Sequence, residues 1–154
     1  MKAKQLTVPA KRRSGAGTLD QGALPGLLGY RLRLAQQVVF SDFAASVQGL
    51  SPGRIGLLIL IDANPGVAQS RLAEAARRDR STMVGALDQL EGRGLLERRR
   101  GVDRRSNGLW LTRPGRAFLA RALRSIAAHE RRIATRLSVA ERRQLLALLG
   151  RIAG

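Results

Sequence analysis

From residue 98 to residue 105 the chain reads Arg-Arg-Arg-Gly-Val-Asp-Arg-Arg, five arginines in eight positions around one aspartate. Like charges this close repel one another until an anion is brought to them. Arginine suits a phosphate, because its planar guanidinium donates two hydrogen bonds at once. The alternating run Gly108-Leu109-Trp110-Leu111-Thr112 follows, so the arginines read as the end of one strand and the loop of a hairpin whose second strand sets Trp110 on the side opposite Leu109 and Leu111. Other chemistry is thinly supplied. The absence of cysteine excludes disulfides, thiolate catalysis and thiol redox sensing. The one histidine, His129, reads as a helix-surface or interface residue, and a monomer offers no histidine-based metal site. With no clustered carboxylates either, an enzyme is not expected, nor a cofactor or a metal.

The whole chain repeats the basic theme. Its 154 residues suffice for one domain with a core, and 28 Lys+Arg against 11 Asp+Glu leave a formal net charge of +17, which points to a polyanionic partner. Residues 1–23 carry five basic and one acidic side chain, 24–70 three and two, 71–105 ten and six, and 106–154 ten and two. All three lysines lie in the first stretch, which lacks periodicity, is rich in small residues and reads as a flexible basic arm. No apolar run nears the roughly 18 residues of a membrane span, and the lysines precede no signal-like apolar stretch. A cytoplasmic location is expected.

The elements that must position the arginines follow from periodicity. Leu28, Leu32, Ala35 and Val39 stripe a helix from Leu24 to about Val47, with Arg31, Arg33 and Asp42 off the stripe, and Gly49 ends it. Ser51-Pro52 opens a second helix with serine as N-cap; its run Ile55–Ile61 is apolar all round and therefore buried, and Asn64-Pro65-Gly66 stops it. Two short helices, Gln69–Arg77 and about Arg80–Arg93, flank a tight turn, and Asp79 caps the second. Leu72, Ala73 and Ala76 face inward from the first; Met83, Ala86, Leu87 and Leu90 from the second. Strands at Leu95–Arg100 and Gly108–Thr112 enclose the polar loop, and from Thr112 a long helix carries Phe118, Leu119, Ala122, Leu123 and Ile126 on one stripe. Ser138 and Glu141 form a capping box before a last helix whose wide apolar face includes Leu145, Leu146, Leu148, Leu149 and Ile152.

Helix, turn, helix, strand, basic loop, strand is the order of a winged helix-turn-helix. The second helix of such a pair enters the major groove, and the loop lays cations on phosphates or in the minor groove. The run from Asp79 to Leu119, DRSTMVGALDQLEGRGLLERRRGVDRRSNGLWLTRPGRAFL, resembles the MarR family of bacterial transcriptional regulators, and the likeness extends from about Leu27 to Ile152. Its most specific parts are DRSTM with LDQLEGRGLLER, the Asp-x-Arg of Asp103 and Arg105, and LTRPGR.

The resemblance implies a mainly α fold: a winged DNA-binding lobe at 51–112 with a two-stranded wing, and dimerisation helices at 24–48 and 113–154. It implies an obligate homodimer that sets one winged helix on each half of a palindromic double-stranded operator. Arg105 then reaches into the minor groove and Asp103 orients it. Three positions depart from the family's habit: Arg77-Arg78 in place of a glycine and an apolar residue, Gly85 in place of an arginine, and Ala68 in place of a capping side chain. The DNA-contacting set is then Arg77, Arg78, Arg80, Ser81, Thr82, Val84 and Gln89 from the helix pair, with Arg98, Arg100, Asp103, Arg104 and Arg105 from the hairpin. Arg80 holds a phosphate, Val84 meets a thymine methyl, and Gln89 can bond adenine.

Members of the family commonly respond to small anionic or phenolic molecules held between the dimerisation helices and the DNA-binding lobe. Here Tyr30, Arg31, Arg33, Phe40 and Arg116 are the candidate effector residues; an arginine beside an aromatic ring suits a carboxylate on an aromatic ring or a phosphate-bearing thioester. The expected function is a repressor that loses DNA affinity when such an effector binds. A non-specific architectural DNA-binding or RNA-binding protein is the rival reading, favoured by the charge and by Gly85. The arm adds charge without a geometry that could read bases. Deleting residues 1–23 should weaken binding to all duplexes alike and flatten its salt dependence, because fewer counterions are released. A changed operator preference in the truncated protein would make the arm part of recognition.

Overall fold

A computed structural model describes residues 19–47, 49–100 and 107–154. The chain divides into two compact units, residues 1–35 and 36–154. Most of the basic arm, Gln48 and the hairpin tip with Asp103, Arg104 and Arg105 lie outside the described residues.

The first expected helix is two elements. A single 3₁₀ turn, Leu24–Gly26, precedes helix α1, Leu28–Ser46. The break falls at Leu27, whose backbone is extended (φ −88°, ψ 124°), while Pro25 sits in the first turn, where its missing N–H costs nothing. Helix α2, Pro52–Ala63, follows. Ser51 stands at its N-cap position, but its hydroxyl makes no capping bond; Pro52 has no N–H to satisfy, and the Ser51 carbonyl takes the amides of Arg54 and Ile55. Ile55, Leu57, Leu58 and Ile61 are buried, whereas Ile59 is 40% exposed, so the run is apolar all round but not buried all round.

Next come strand β1, Val67–Ala68, helix α3, Gln69–Ala75, and helix α4, Arg80–Gly92. Strands β2, Leu96–Arg100, and β3, Asn107–Leu111, form the hairpin. The sheet has three strands rather than the expected two, in the order β1-β3-β2 and antiparallel throughout: Val67 pairs with Leu109, Ala68 with Gly108, and Leu96 with Leu111. Two residues cannot announce themselves by alternation, and β1 exists only because β3 is there to receive it. Leu109 and Leu111 are buried while Trp110 is half-buried on the opposite side, as alternation requires.

Helix α5, Arg113–Ile133, shows what the Leu-Thr-Arg-Pro-Gly-Arg motif does. The Thr112 hydroxyl donates to the Gly94 carbonyl at 2.6 Å and accepts the Gly115 amide at 2.9 Å, capping the helix while tying it to the entry of β2. A side chain at Gly115 would run into the backbone of Leu95. Arg116 donates to the Leu111 carbonyl at 2.8 Å. The long helix is thus fixed to the hairpin's base within its first turn. One core joins these elements, with Leu58 and Ile61 of α2, Leu72 of α3, Met83 and Leu87 of α4, and Leu109 of β3 all nearly inaccessible.

Helix α6, Val139–Ala153, begins with the expected capping box: Ser138 accepts the Glu141 amide and Glu141 accepts the Ser138 amide. It buries no residue in the single chain. Leu145, Leu146, Leu148 and Ile152 are all exposed, as are Val38 and Phe40 of α1 and Leu123 of α5.

His129 corrects the sequence expectation. It is 2% exposed, not a surface residue. Its Nδ1 lies 2.5 Å from an Asp42 carboxylate oxygen, and its ring meets Phe43 edge-on at 5.5 Å. Arg132 grips the same carboxylate through Nε at 3.0 Å and Nη2 at 2.9 Å, and also donates to Ser46. The burial of a histidine becomes tolerable once its polar edge is bonded. Arg132, then His129, hold the Asp42 carboxyl well below the usual carboxylate range. Because its native pKa is depressed, the stability that Asp42 contributes is present above the ordinary carboxylate pKa of about 4 and is lost as pH falls below it. Asp42→Asn should lower Tm by a few degrees at neutral pH and flatten the acid limb of the Tm–pH curve. A variant melting with wild-type acid dependence would show that the cluster contributes nothing to acid stability.

Candidate nucleic-acid interface

The turn between α3 and α4 carries the first of the expected cations. Helix α3 ends with the Arg78 amide bonded to the Ala73 carbonyl at 3.0 Å and the Arg77 amide to the Glu74 carbonyl at 3.1 Å. Arg77 accordingly adopts a left-handed conformation at φ +48°. Helix α4 ends in the same way, with Leu95 bonded to Leu90 and Gly94 to Glu91, but there the left-handed residue is Gly94, at φ +67°. Glycine is the usual occupant of this position because a Cβ is strained in it. The Arg77 guanidinium reaches the carbonyls of Ala153 and Gly154 at 2.5 and 2.7 Å, where the carbonyls ending α6 welcome a cation. Arg78 lies over α2, where a side chain at Gly53 would collide with its guanidinium.

Asp79 caps α4 as expected, and more thoroughly. Its carboxylate accepts the Thr82 amide at 2.8 Å, the Thr82 hydroxyl at 2.6 Å and the Ser81 hydroxyl at 2.7 Å. These bonds, led by the Thr82 hydroxyl, hold its carboxyl well below the usual range. Both hydroxyl protons point to Asp79, so Ser81 and Thr82 turn lone pairs outward and can accept from a base amino group. Arg80, Ser81, Val84 and Gly85 line the exposed face, and around Gly85 there is open space. Ala68 stands as N-cap of α3 without a side-chain bond.

Three of the expected contacts are engaged within the fold, Arg77 at the end of α6 and two more. The Gln89 side-chain carbonyl accepts from Arg54 of α2, which fixes the amide while leaving its second lone pair and its N–H groups able to bond a base. Arg98 does not stand free for a phosphate. Its guanidinium pairs with Glu91 and, at 2.6 Å, with Asp88, its amide also bonds Glu91 at 3.2 Å, and its side chain is only 23% exposed. Arg98 rivets the hairpin to α4 and engages two acids on that helix, offsetting one of their two charges. Sequence reading missed Asp88 and Glu91; their spacing of three on one helix face, ahead of a basic strand, was the available signal. Arg99 pairs with Glu97 and stacks on Trp110, its guanidinium carbon 5.9 Å from the ring centre. Arg100 closes the strand opposite Asn107. A groove of about 650 Å³ runs between the helix pair and the sheet, with Gln69, Ser70, Arg78, Arg80, Val84 and Arg98 in its walls.

The candidate effector residues divide between the two units. In the first, the Arg33 guanidinium lies 5.1 Å from the Tyr30 ring centre, the Tyr30 hydroxyl meets Gln21 at 3.4 Å, and Arg31 turns to the Pro25 carbonyl at 2.8 Å. The arginine–aromatic pair is therefore Arg33–Tyr30, without Arg31. In the second, Phe40 is 52% exposed and Arg116 is tied to Leu111. Among the described residues no group of acids and histidines could hold a metal ion, and no helix is long and apolar enough to cross a membrane.

Comparison with known proteins agrees with this geometry. The family model described as MarR family matches residues 50–106. A protein assigned to transcriptional regulation of the hcr operon in Thauera aromatica is 39% identical over 143 residues, 90% of this chain and 86% of its own. The transcriptional repressor CouR bound to a 23-mer DNA duplex superposes with a TM-score of 0.85 at 44% identity, covering 90% of this chain and 100% of that one. CouR bound to p-coumaroyl-CoA gives 0.81 at 42% identity, covering 88% and 98%.

The strained turn yields a test. Arg77→Gly should stabilise the protein by about 1 kcal/mol, the usual cost of a left-handed L-residue, measured by urea unfolding. Lower stability would mean that the Arg77 bonds to the end of α6 outweigh the strain.

Proposed function

The chain belongs to the MarR family, and we propose that it is a homodimeric repressor that binds a palindromic operator and is released by the coenzyme A thioester of an aromatic acid. It is a transcriptional regulator that binds DNA and responds to a ligand. The observation that carries the finer reading is the tie from Arg98 of β2 to Asp88 and Glu91 of α4, which joins the strand leading into the basic hairpin to that helix, in a chain alike over most of its length to a repressor solved with DNA and with an aryl thioester. The lobe at 51–112 reads the operator, and 24–48 with 113–154 join two copies. The contact set is Arg78, Arg80, Ser81, Thr82, Val84 and Gln89 from the helix pair, and Arg100, Arg104 and Arg105 from the wing, with Asp103 orienting Arg105. Tyr30 and Arg33 suit an effector that joins an aromatic ring to anionic groups. Such a regulator works beside the chromosome, in the cytoplasm.

The experiment is selection of bound duplexes from a random pool, followed by effector titration on the enriched operator. The reading expects a palindrome, released by p-coumaroyl-CoA or another aryl thioester but not by the free acid or by coenzyme A alone. Release by the free acid would leave the thioester unnecessary, and enrichment of no sequence would return the protein to general polyanion binding.

The exposed apolar face of α6 generates a second expectation. Sedimentation should show a species of twice the 16.7 kDa chain mass at micromolar concentration, and Leu146→Glu should abolish it. A folded wild-type monomer would contradict the dimer. A third concerns the wing. Arg105→Ala should cost about 1.5–3 kcal/mol of binding per subunit, as for a lost charge-assisted bond. Asp103→Ala should also weaken binding, although deleting an anion near DNA would by charge alone tighten it. Tighter binding would show that Asp103 does not orient Arg105.

A further inference from the structure

The single tryptophan stands where three strands meet, and no step of the DNA-binding account uses it. Its ring lies on bare backbone. A Cβ at Gly66 would come within 2.8 Å of the indole, and one at Gly108 within 2.5 Å of it and 2.7 Å of the Gly66 carbonyl. Gly66 is left-handed at φ +83°, and its amide bonds the Leu109 carbonyl at 2.8 Å. Across the hairpin Glu97 faces Trp110, and Arg99, which faces Gly108, lays its guanidinium toward the ring. One side chain therefore spans the turn before β1, the strand β3 that bears it, and β2. The strand β1 runs into α3 without an intervening residue, so whatever fixes β1 to the hairpin fixes the hairpin to the helix pair.

We propose that Trp110 is a positioning residue for DNA binding: packed across Gly66 and Gly108 beneath Arg99, it sets the angle between the wing and the helix pair, so that both reach one half-site together. Leu109 and Leu111 hold the sheet to the core from the other face, but they leave the strands free to twist about one another. An indole that spans the turn before β1, β3 and β2 removes that freedom, because its flat face needs the two glycine backbones level beneath it. The site demands a large ring, and the two glycines make room for it at the expense of chain entropy. Arg99 adds a cation over the ring face.

The proposal rests on the reading that the wing touches DNA, and the test separates the two. Trp110→Ala, Trp110→Phe and Arg105→Ala are compared with wild type for operator affinity at several salt concentrations, well below the melting temperature of each, with dimerisation checked by sedimentation. Trp110→Ala should remain a folded dimer, bind operator about tenfold more weakly and show a shallower salt dependence, since a wing that is not held on the DNA releases fewer counterions. Trp110→Phe should recover part of both. If Arg105→Ala weakens binding while Trp110→Ala alters neither affinity nor salt dependence, Trp110 is only a stabilising residue and the proposal fails, with the wing reading intact. If neither variant weakens binding, the wing reading falls and takes the proposal with it. Should Trp110→Ala not fold, wild-type protein supplies the deciding measurement, since a lone tryptophan reports without interference. A ring clamped across the turn, β3 and β2 should show only the slow anisotropy decay of the whole dimer, and a large subnanosecond component would overturn the clamp.

Discussion

The pairing of Val67 and Ala68 with Leu109 and Gly108 is the joint on which the DNA-facing surface depends. It is short, and by itself two residues of strand would open freely. Its strength comes from position. Ala68 is also the N-cap residue of α3, so a strand bond and a helix start share one residue. Leu109 sits in the same apolar core as Leu72, Met83 and Leu87, whose burial supplies the non-directional part of the stability. Arg98 closes the assembly from the other edge through Asp88 and Glu91. Helix α4 and the hairpin are thereby bound by a strand pairing, a core and an ion-pair rivet, and in the proposal above Trp110 fixes the angle that these leave open.

This arrangement also resolves the charge problem posed by the arginine run. The acids of α4 and its cap are all engaged within the fold, since Asp79 caps the helix while Asp88 and Glu91 take Arg98. The face that remains is basic and hydroxyl-lined, with lone pairs from Ser81 and Thr82, a methyl-bearing Val84 and space at Gly85. In the proposed reading, base discrimination on that face comes from these acceptors, Val84 and Gln89, without a guanine-gripping arginine at position 85. The cost of the design appears in the turn, where Arg77 occupies a glycine conformation. Strain of this kind persists where the surroundings over-determine it, and here α3, α4 and the end of α6 all hold the residue.

Local chemistry in the sequence was sufficient for most of the fold. Asp79 and the Ser138–Glu141 box cap the helices they precede, and Leu109-Trp110-Leu111 alternates as its letters say, because caps and alternation are decided within a few residues. What escaped reading depends on partners distant along the chain. The strand β1 needs β3, some 40 residues later. His129 looks like one more polar residue on a basic helix until Asp42 and Arg132 are placed beside it. The same is true of Arg98 and Gln89: their types suit phosphate and adenine, but Glu91 and Asp88 claim Arg98, and Arg54 fixes the Gln89 amide. Among the effector candidates, side-chain type alone does not separate Arg33 from Arg31; the guanidinium of Arg33 over the Tyr30 ring does, while Arg31 bonds the Pro25 carbonyl.

The central claim is that this protein reads a two-fold operator through a rigid helix-and-wing unit, rather than binding polyanions at large. The most direct test is to insert about 5 base pairs, half a helical turn, between the two halves of the selected palindrome and measure affinity at fixed salt. Two rigid units related by a dimer axis cannot follow half-sites rotated to opposite faces of the duplex. Affinity should fall to nearly that of a random duplex and return when about 10 base pairs, a full turn, are inserted only in so far as the dimer can stretch. Affinity unchanged by the half-turn insertion would contradict the account and leave a basic protein that binds DNA by charge alone.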